Sequence, residues 1–130
     1  MVDASIAVEV LLQSELGRRA TALISTATLI APELIDAEVL AVLRRAVLGG
    51  RLDVTRASEA VADLADWDLA RVPHRDLLGE AWALRDNATA YDALYLAAAR
   101  LHDATLLTAD GPLSRVPVAG FAIQNLSVTR

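Results

Sequence analysis

The chain contains no cysteine and no lysine, has only two histidines, and lacks any apolar run of membrane-spanning length. The absence of cysteine excludes disulfides, thiolate zinc sites and cysteine nucleophiles. With His74 and His102 the only imidazoles, a histidine-rich metal site is disfavoured, so any metal must be held by oxygen. The hydrophobic content of 55% and mean hydropathy of +0.39 are high for a soluble chain. Even so, charged residues recur before the roughly 18 consecutive apolar residues of a membrane helix accumulate. A secretion signal needs a basic start, whereas Met1-Val2-Asp3 puts an acid third. The expectation is a cytoplasmic protein with no membrane partner, folded over residues 1–130 as one domain.

A net charge of −5 speaks against a broad basic surface for nucleic acid. It leaves room for a nuclease, because acids gathered around cations make the bare chain more negative than the loaded one. All twelve basic residues are arginine, whose planar fork matches phosphate. A lysine-free, alanine-rich composition also follows from a GC-rich genome.

Short apolar runs alternate with longer helical patterns, and no repeat or linker interrupts them. Strands are predicted at Met1–Val2, Thr28–Ala31, Asp68–Val72, Thr105–Leu107 and Phe121–Asn125. Helices are predicted near Ile6–Gln13, Leu16–Thr26, Pro32–Leu48, Val54–Ala65, Leu77–Leu84 and Ala90–Leu101, the third closed by Gly49-Gly50. Such alternation implies right-handed crossovers, hence an α/β fold of three α/β/α layers around a mostly parallel sheet. Ligands in these sheets bind beyond the carboxyl ends of the strands.

Four acids occupy positions suited to such a site, although each has an ordinary explanation. Asp3 follows the first apolar residues and could simply cap a helix. Glu38 borders the apolar face made by Ile35, Val39, Val42 and Ala46, while Asp36 points nearly opposite. A bare carboxylate there is disfavoured by desolvation unless paired, with Arg45 a possible partner. Asp92 lies in the capping sequence Thr89-Ala90-Tyr91-Asp92, and Asp110-Gly111-Pro112 could be a plain turn. If the four converge, mutual repulsion would resist joint ionisation unless Mg²⁺ or Mn²⁺, which prefer oxygen ligands, removed it. Divalent cations can activate water and stabilise the leaving oxygen in phosphodiester hydrolysis.

At these residues the chain resembles the PIN-domain nucleases, particularly the VapC-type toxins of prokaryotic toxin–antitoxin pairs. The matching pieces are Val2-Asp3-Ala4-Ser5, the segment from Ala31 to Val39, the segment from Asn87 to Ala99, and Leu106-Leu107-Thr108-Ala109-Asp110. The resemblance implies a metal-dependent endoribonuclease whose metal is held by Asp3, Glu38, Asp92 and Asp110. It further implies support from the hydroxyls of Ser5 and Thr108. Asn87 and Thr89 would orient Asp92 or touch RNA, though helix capping explains them as well. The first strand is shorter than is usual in the family.

The same resemblance implies an RNA substrate, a homodimer and a cognate VapB-like antitoxin covering an apolar groove. The apolar residues between Ile6 and Ile24 are the expected site of that groove. A phosphoacceptor receiver domain would need a lysine, which the chain lacks. A catalytically inactive PIN-like scaffold that binds RNA or protein is the alternative from another class.

Overall fold

Most helices start on a side-chain oxygen. Asp3, Ser14, Asp53, Thr89 and Asp110 accept the free N–H of Ile6, Gly17, Thr55, Asp92 and Leu113, respectively. In the computed structural model, which describes residues 1–116 and 122–126, these caps open α1 (Ala4–Leu12), α2 (Glu15–Ile24), α4 (Val54–Asp66), α6 (Ala90–Leu101) and α7 (Gly111–Ser114). The helix α3 (Leu34–Leu48) begins differently: Glu33 makes no cap bond, and the Nε2 atom of His74 accepts the Leu34 N–H at 2.9 Å. Glu33 in turn accepts the His74 backbone N–H at 3.2 Å, so the start of α3 is tied to a distant turn.

Two glycines shape this part of the chain. A Cβ on Gly17 would lie 1.9 Å from the carbonyl oxygen of Glu9, so only glycine lets α2 pack this closely on α1. Gly50, at φ +73°, supplies the left-handed residue just past the end of α3.

The strands are all parallel. β1 (Leu29–Pro32) pairs with β2 (Leu69–Val72), and β3 (Leu106–Thr108) with β4 (Ile123–Asn125). Val2 adds one parallel bridge to Leu107, flanked by bonds from Leu107 N–H to Met1 at 2.9 Å and from Asp3 N–H to Leu107 at 3.2 Å. The first segment forms a single bridge rather than a full strand. Helices α1 and α3 touch β3 and β1, and α6 touches both. The result is the layered α/β arrangement, with Val2, Ile6, Ile35, Val39, Leu96 and Leu106 in its centre.

Several boundaries differ from the sequence reading. Pro32 closes β1 instead of opening α3, because it stays in register with Val72. The helix expected at Leu77–Leu84 divides into a 3-10 turn, His74–Leu77, and α5, Leu78–Ala83. Asp110-Gly111-Pro112 begins the short α7 rather than a plain turn, since proline suits a first helical turn. Phe121 lies outside the described residues.

The expected apolar face between Ile6 and Ile24 is not free. Ile6, Val8, Leu11, Ala20 and Ile24 are buried, Val10, Leu12 and Leu16 are half-buried, and only Leu23 is exposed. The reason is that α1 packs on α2, α3 and α4 at once, which consumes its apolar sides. The exposed large apolar residues cluster elsewhere, as Leu40, Leu48, Val54 and Val61 on α3 and α4, and as Leu78, Trp82 and Tyr91 on α5 and α6. Among the described residues, no helix is long and apolar enough to cross a membrane.

Candidate metal centre

Asp3 is the most enclosed of the acids, at 4% exposure. Its Oδ1 accepts the Ile6 N–H at 3.1 Å and the Ser5 hydroxyl at 2.6 Å, and its Oδ2 accepts the Thr108 hydroxyl. The same hydroxyls reach the segment after β3: Ser5 Oγ accepts from Ala109 N–H at 2.9 Å, and Thr108 Oγ1 from Asp110 N–H at 2.8 Å. Ser5 and Thr108 thus lace the start of α1 to the strand end that carries Asp110. Asp110 caps α7 through its Oδ1, which accepts the Leu113 N–H at 3.1 Å.

Glu38 and Asp92 come from helices. Glu38 is half-buried on α3, and its Oε1 is buried with no hydrogen-bond partner. Arg45 is exposed and makes no ion pair with it. Asp92 is half-buried in the first turn of α6, where its backbone N–H donates to Thr89 Oγ1 at 3.2 Å. Asp36 lies outside the group and is bound by Arg71 at 3.0 Å. Asn87 sits on the exposed turn before α6, and Thr89 spends its hydroxyl on the cap.

Electrostatics link the four acids in a closed ring. Burial, and then the charge of Asp110, pushes Asp3 above the usual carboxylate range against the pull of its hydrogen bonds. Burial also raises Glu38, with the charges of Asp3 and Asp92 adding to it. Asp92 is raised by burial and by Asp110. Asp3, Glu38, Asp92 and Asp110 therefore share one local field, although up to a hundred residues separate them.

The donor set is all hard oxygen, the charge is unbalanced, and one buried carboxylate oxygen lacks a partner. These features suit a divalent cation. Among the described residues, no three acidic or histidine side chains are close enough as they stand to ligate one ion. The acids thus match a cation in donor chemistry and charge.

Sequence reasoning passed over Tyr95. It lies one helical turn beyond Asp92 on α6, is 2% exposed, and its hydroxyl has no hydrogen-bond partner. The signal was present in the spacing, since residues three apart on a helix share a face.

The chain is similar to known proteins over most of its length. The PIN domain family matches residues 1–119. Ribonuclease VapC1 of Mycobacterium tuberculosis (strain CDC 1551 / Oshkosh) is 46% identical over 88 residues, covering 67% of this chain and 66% of the relative. Ribonuclease VapC9 of the same strain is 35% identical over 114 residues, covering 88% of this chain and 87% of the relative. Ribonuclease VapC3 is 34% identical over 124 residues, covering 95% and 90%. The chain belongs to the PIN domain family, in its VapC branch.

Proposed function

We propose that the chain is a metal-dependent endoribonuclease, the toxin of a toxin–antitoxin pair, with Mg²⁺ or Mn²⁺ held by Asp3, Glu38, Asp92 and Asp110. The observation that carries this reading is the closed ring of like charges at the strand ends, in which the buried Asp3 is fixed by three hydrogen bonds. A fold stabilised only by packing and capping has no use for four mutually repelling acids. When bound, the cation supplies water activation and charge neutralisation. The chain's own part is to hold Asp3 immobile through Ser5 and Thr108, and to present Glu38 and Asp92 from two helices.

The substrate follows from the likeness to proteins named as ribonucleases, and the protein partners are placed on the exposed apolar faces. RNA is the substrate, in the cytoplasm. The exposed Leu78, Trp82 and Tyr91 surround a hollow of about 330 Å³ beside Asp92 and form the homodimer face. The groove between α3 and α4, lined by Leu40, Leu48 and Val61, receives an apolar helix of the antitoxin. The deciding experiment incubates purified protein with structured RNAs under titrated Mg²⁺ or Mn²⁺. Cleavage that appears with the cation and vanishes in excess chelator is expected. Undiminished cleavage in chelator would refute the reading, and binding without cleavage would favour the scaffold.

A further inference from the structure

Among the described residues, only two buried side-chain atoms lack a hydrogen-bond partner, Glu38 Oε1 and the hydroxyl of Tyr95. They are neighbours. The phenol lowers the pKa of Glu38 against the effect of burial, and the carboxylate adds to the rise that burial gives the phenol. No hydrogen bond of acceptable geometry joins them. A phenol buried to 2% exposure without a partner loses its solvent hydrogen bonds uncompensated, and so does a buried carboxylate oxygen. Two such atoms side by side point to one bond that forms only when the carboxylate turns.

The surroundings decide the direction of that bond. The Ala4 backbone amide, at the start of α1, lies near the phenol oxygen without bonding it. A phenol is the donor toward a carboxylate, so the hydroxyl proton is free to be donated. Asp3 is already supplied with three donors, whereas Glu38 has none at Oε1. The free carboxylate oxygen is therefore the acceptor that remains.

We propose that Tyr95 is a positioning residue of the metal centre. Its hydroxyl would donate to Glu38 Oε1 and so hold the carboxylate that would help to bind the cation. This rests on the metal-site reading above. Partners of this kind typically change metal affinity by about 10–100-fold.

The test is Mn²⁺ binding to the full chain by calorimetry, in wild type, Tyr95→Phe, Glu38→Gln and the double variant. Tyr95→Phe keeps the ring and should weaken Mn²⁺ about tenfold, equivalent to about 1.4 kcal/mol. In the Glu38→Gln background the same change should cost nothing further, because the hydroxyl acts through that carboxylate. Equal affinity in wild type and Tyr95→Phe, or an undiminished loss in the double variant, would overturn the proposal. A second measurement does not depend on how the variants fold. With 3-fluorotyrosine incorporated, the two tyrosines give two fluorine resonances, and Mg²⁺ should move that of buried Tyr95 but not that of exposed Tyr91. If Mg²⁺ binds and the Tyr95 signal stays still, Tyr95 has no such role and the metal site stands. If neither ion binds wild type, the metal-site reading fails and this inference fails with it.

Discussion

Glu38→Gln should make the cation-free protein more stable while weakening its hold on metal. In the free protein Glu38 faces the charges of Asp3 and Asp92, makes no ion pair, and buries one oxygen without a donor. Like charges at side-chain separations repel by on the order of 1–2 kcal/mol at the effective dielectric of a protein surface. Half-exposure screens part of that, so the amide should gain about 1 kcal/mol, or about 3–5 °C in Tm for a chain of this size. The pH dependence fixes the sign independently. Asp3, Glu38 and Asp92 all have raised pKa values in the folded state, so the native chain binds protons more tightly than the unfolded one. Their contribution is complete below the ordinary carboxylate range and is lost as pH rises through the raised values. The advantage of Glu38→Gln should therefore be largest near neutrality and shrink towards acid pH. A cation at about a hundred times its Kd stabilises wild type by about 2.7 kcal/mol, and a tenfold weaker site at the same concentration gives about half of that. Thermal unfolding with and without Mg²⁺ across pH measures all three effects. Equal melting of the two proteins at neutral pH, followed by equal shifts with Mg²⁺, would refute the reasoning.

Other substitutions separate the site from the scaffold. Asp92→Asn should reduce RNA cleavage by at least about a hundredfold with little change in Tm, because the cap at this helix start belongs to Thr89; a collapse in Tm with activity retained per folded molecule would contradict this. Gly17→Ala forces a methyl against the Glu9 carbonyl and should cost about 3 kcal/mol, read by urea unfolding. Arg71→Ala strips donors from Asp36 and from the carbonyls of Leu64, Trp67 and Leu69, and should cost about 2–3 kcal/mol, also read in urea.

Periodicity was enough to place α1 to α4 and α6, because each has a continuous apolar face and all but α3 have a small oxygen-bearing cap at the start. It misled where the governing contact was distant in sequence. No local rule indicates that His74 caps α3 across forty residues, or that Pro32 remains in a ladder set by Val72. The surplus of apolar residues between Ile6 and Ile24 suggested a docking face, whereas three-sided packing of α1 buries most of them. The faces that do remain open depend on which helices meet, and a one-dimensional pattern does not carry that information.

The acids show why a capping reading and a site reading coexisted at the same residues. Asp3 is an N-cap, with Oδ1 on the Ile6 N–H, and Asp110 is another, with Oδ1 on the Leu113 N–H. Capping is how the fold fixes these two carboxylates, since a helix start ties each to a rigid element at the end of a strand. What distinguishes them from an ordinary cap is the company they keep. Asp53 caps α4 in the same way, is exposed, and has no hydroxyl lattice around it. Asp3 instead shares Ser5 and Thr108 with the strand end that carries Asp110, and meets the charges of Glu38 and Asp110. A cap gains from having one carboxylate, but nothing in capping favours setting it in the field of Glu38 and Asp110. This electrostatic coupling, which a linear sequence does not display, is therefore the part of the arrangement that selection for stability alone leaves unexplained.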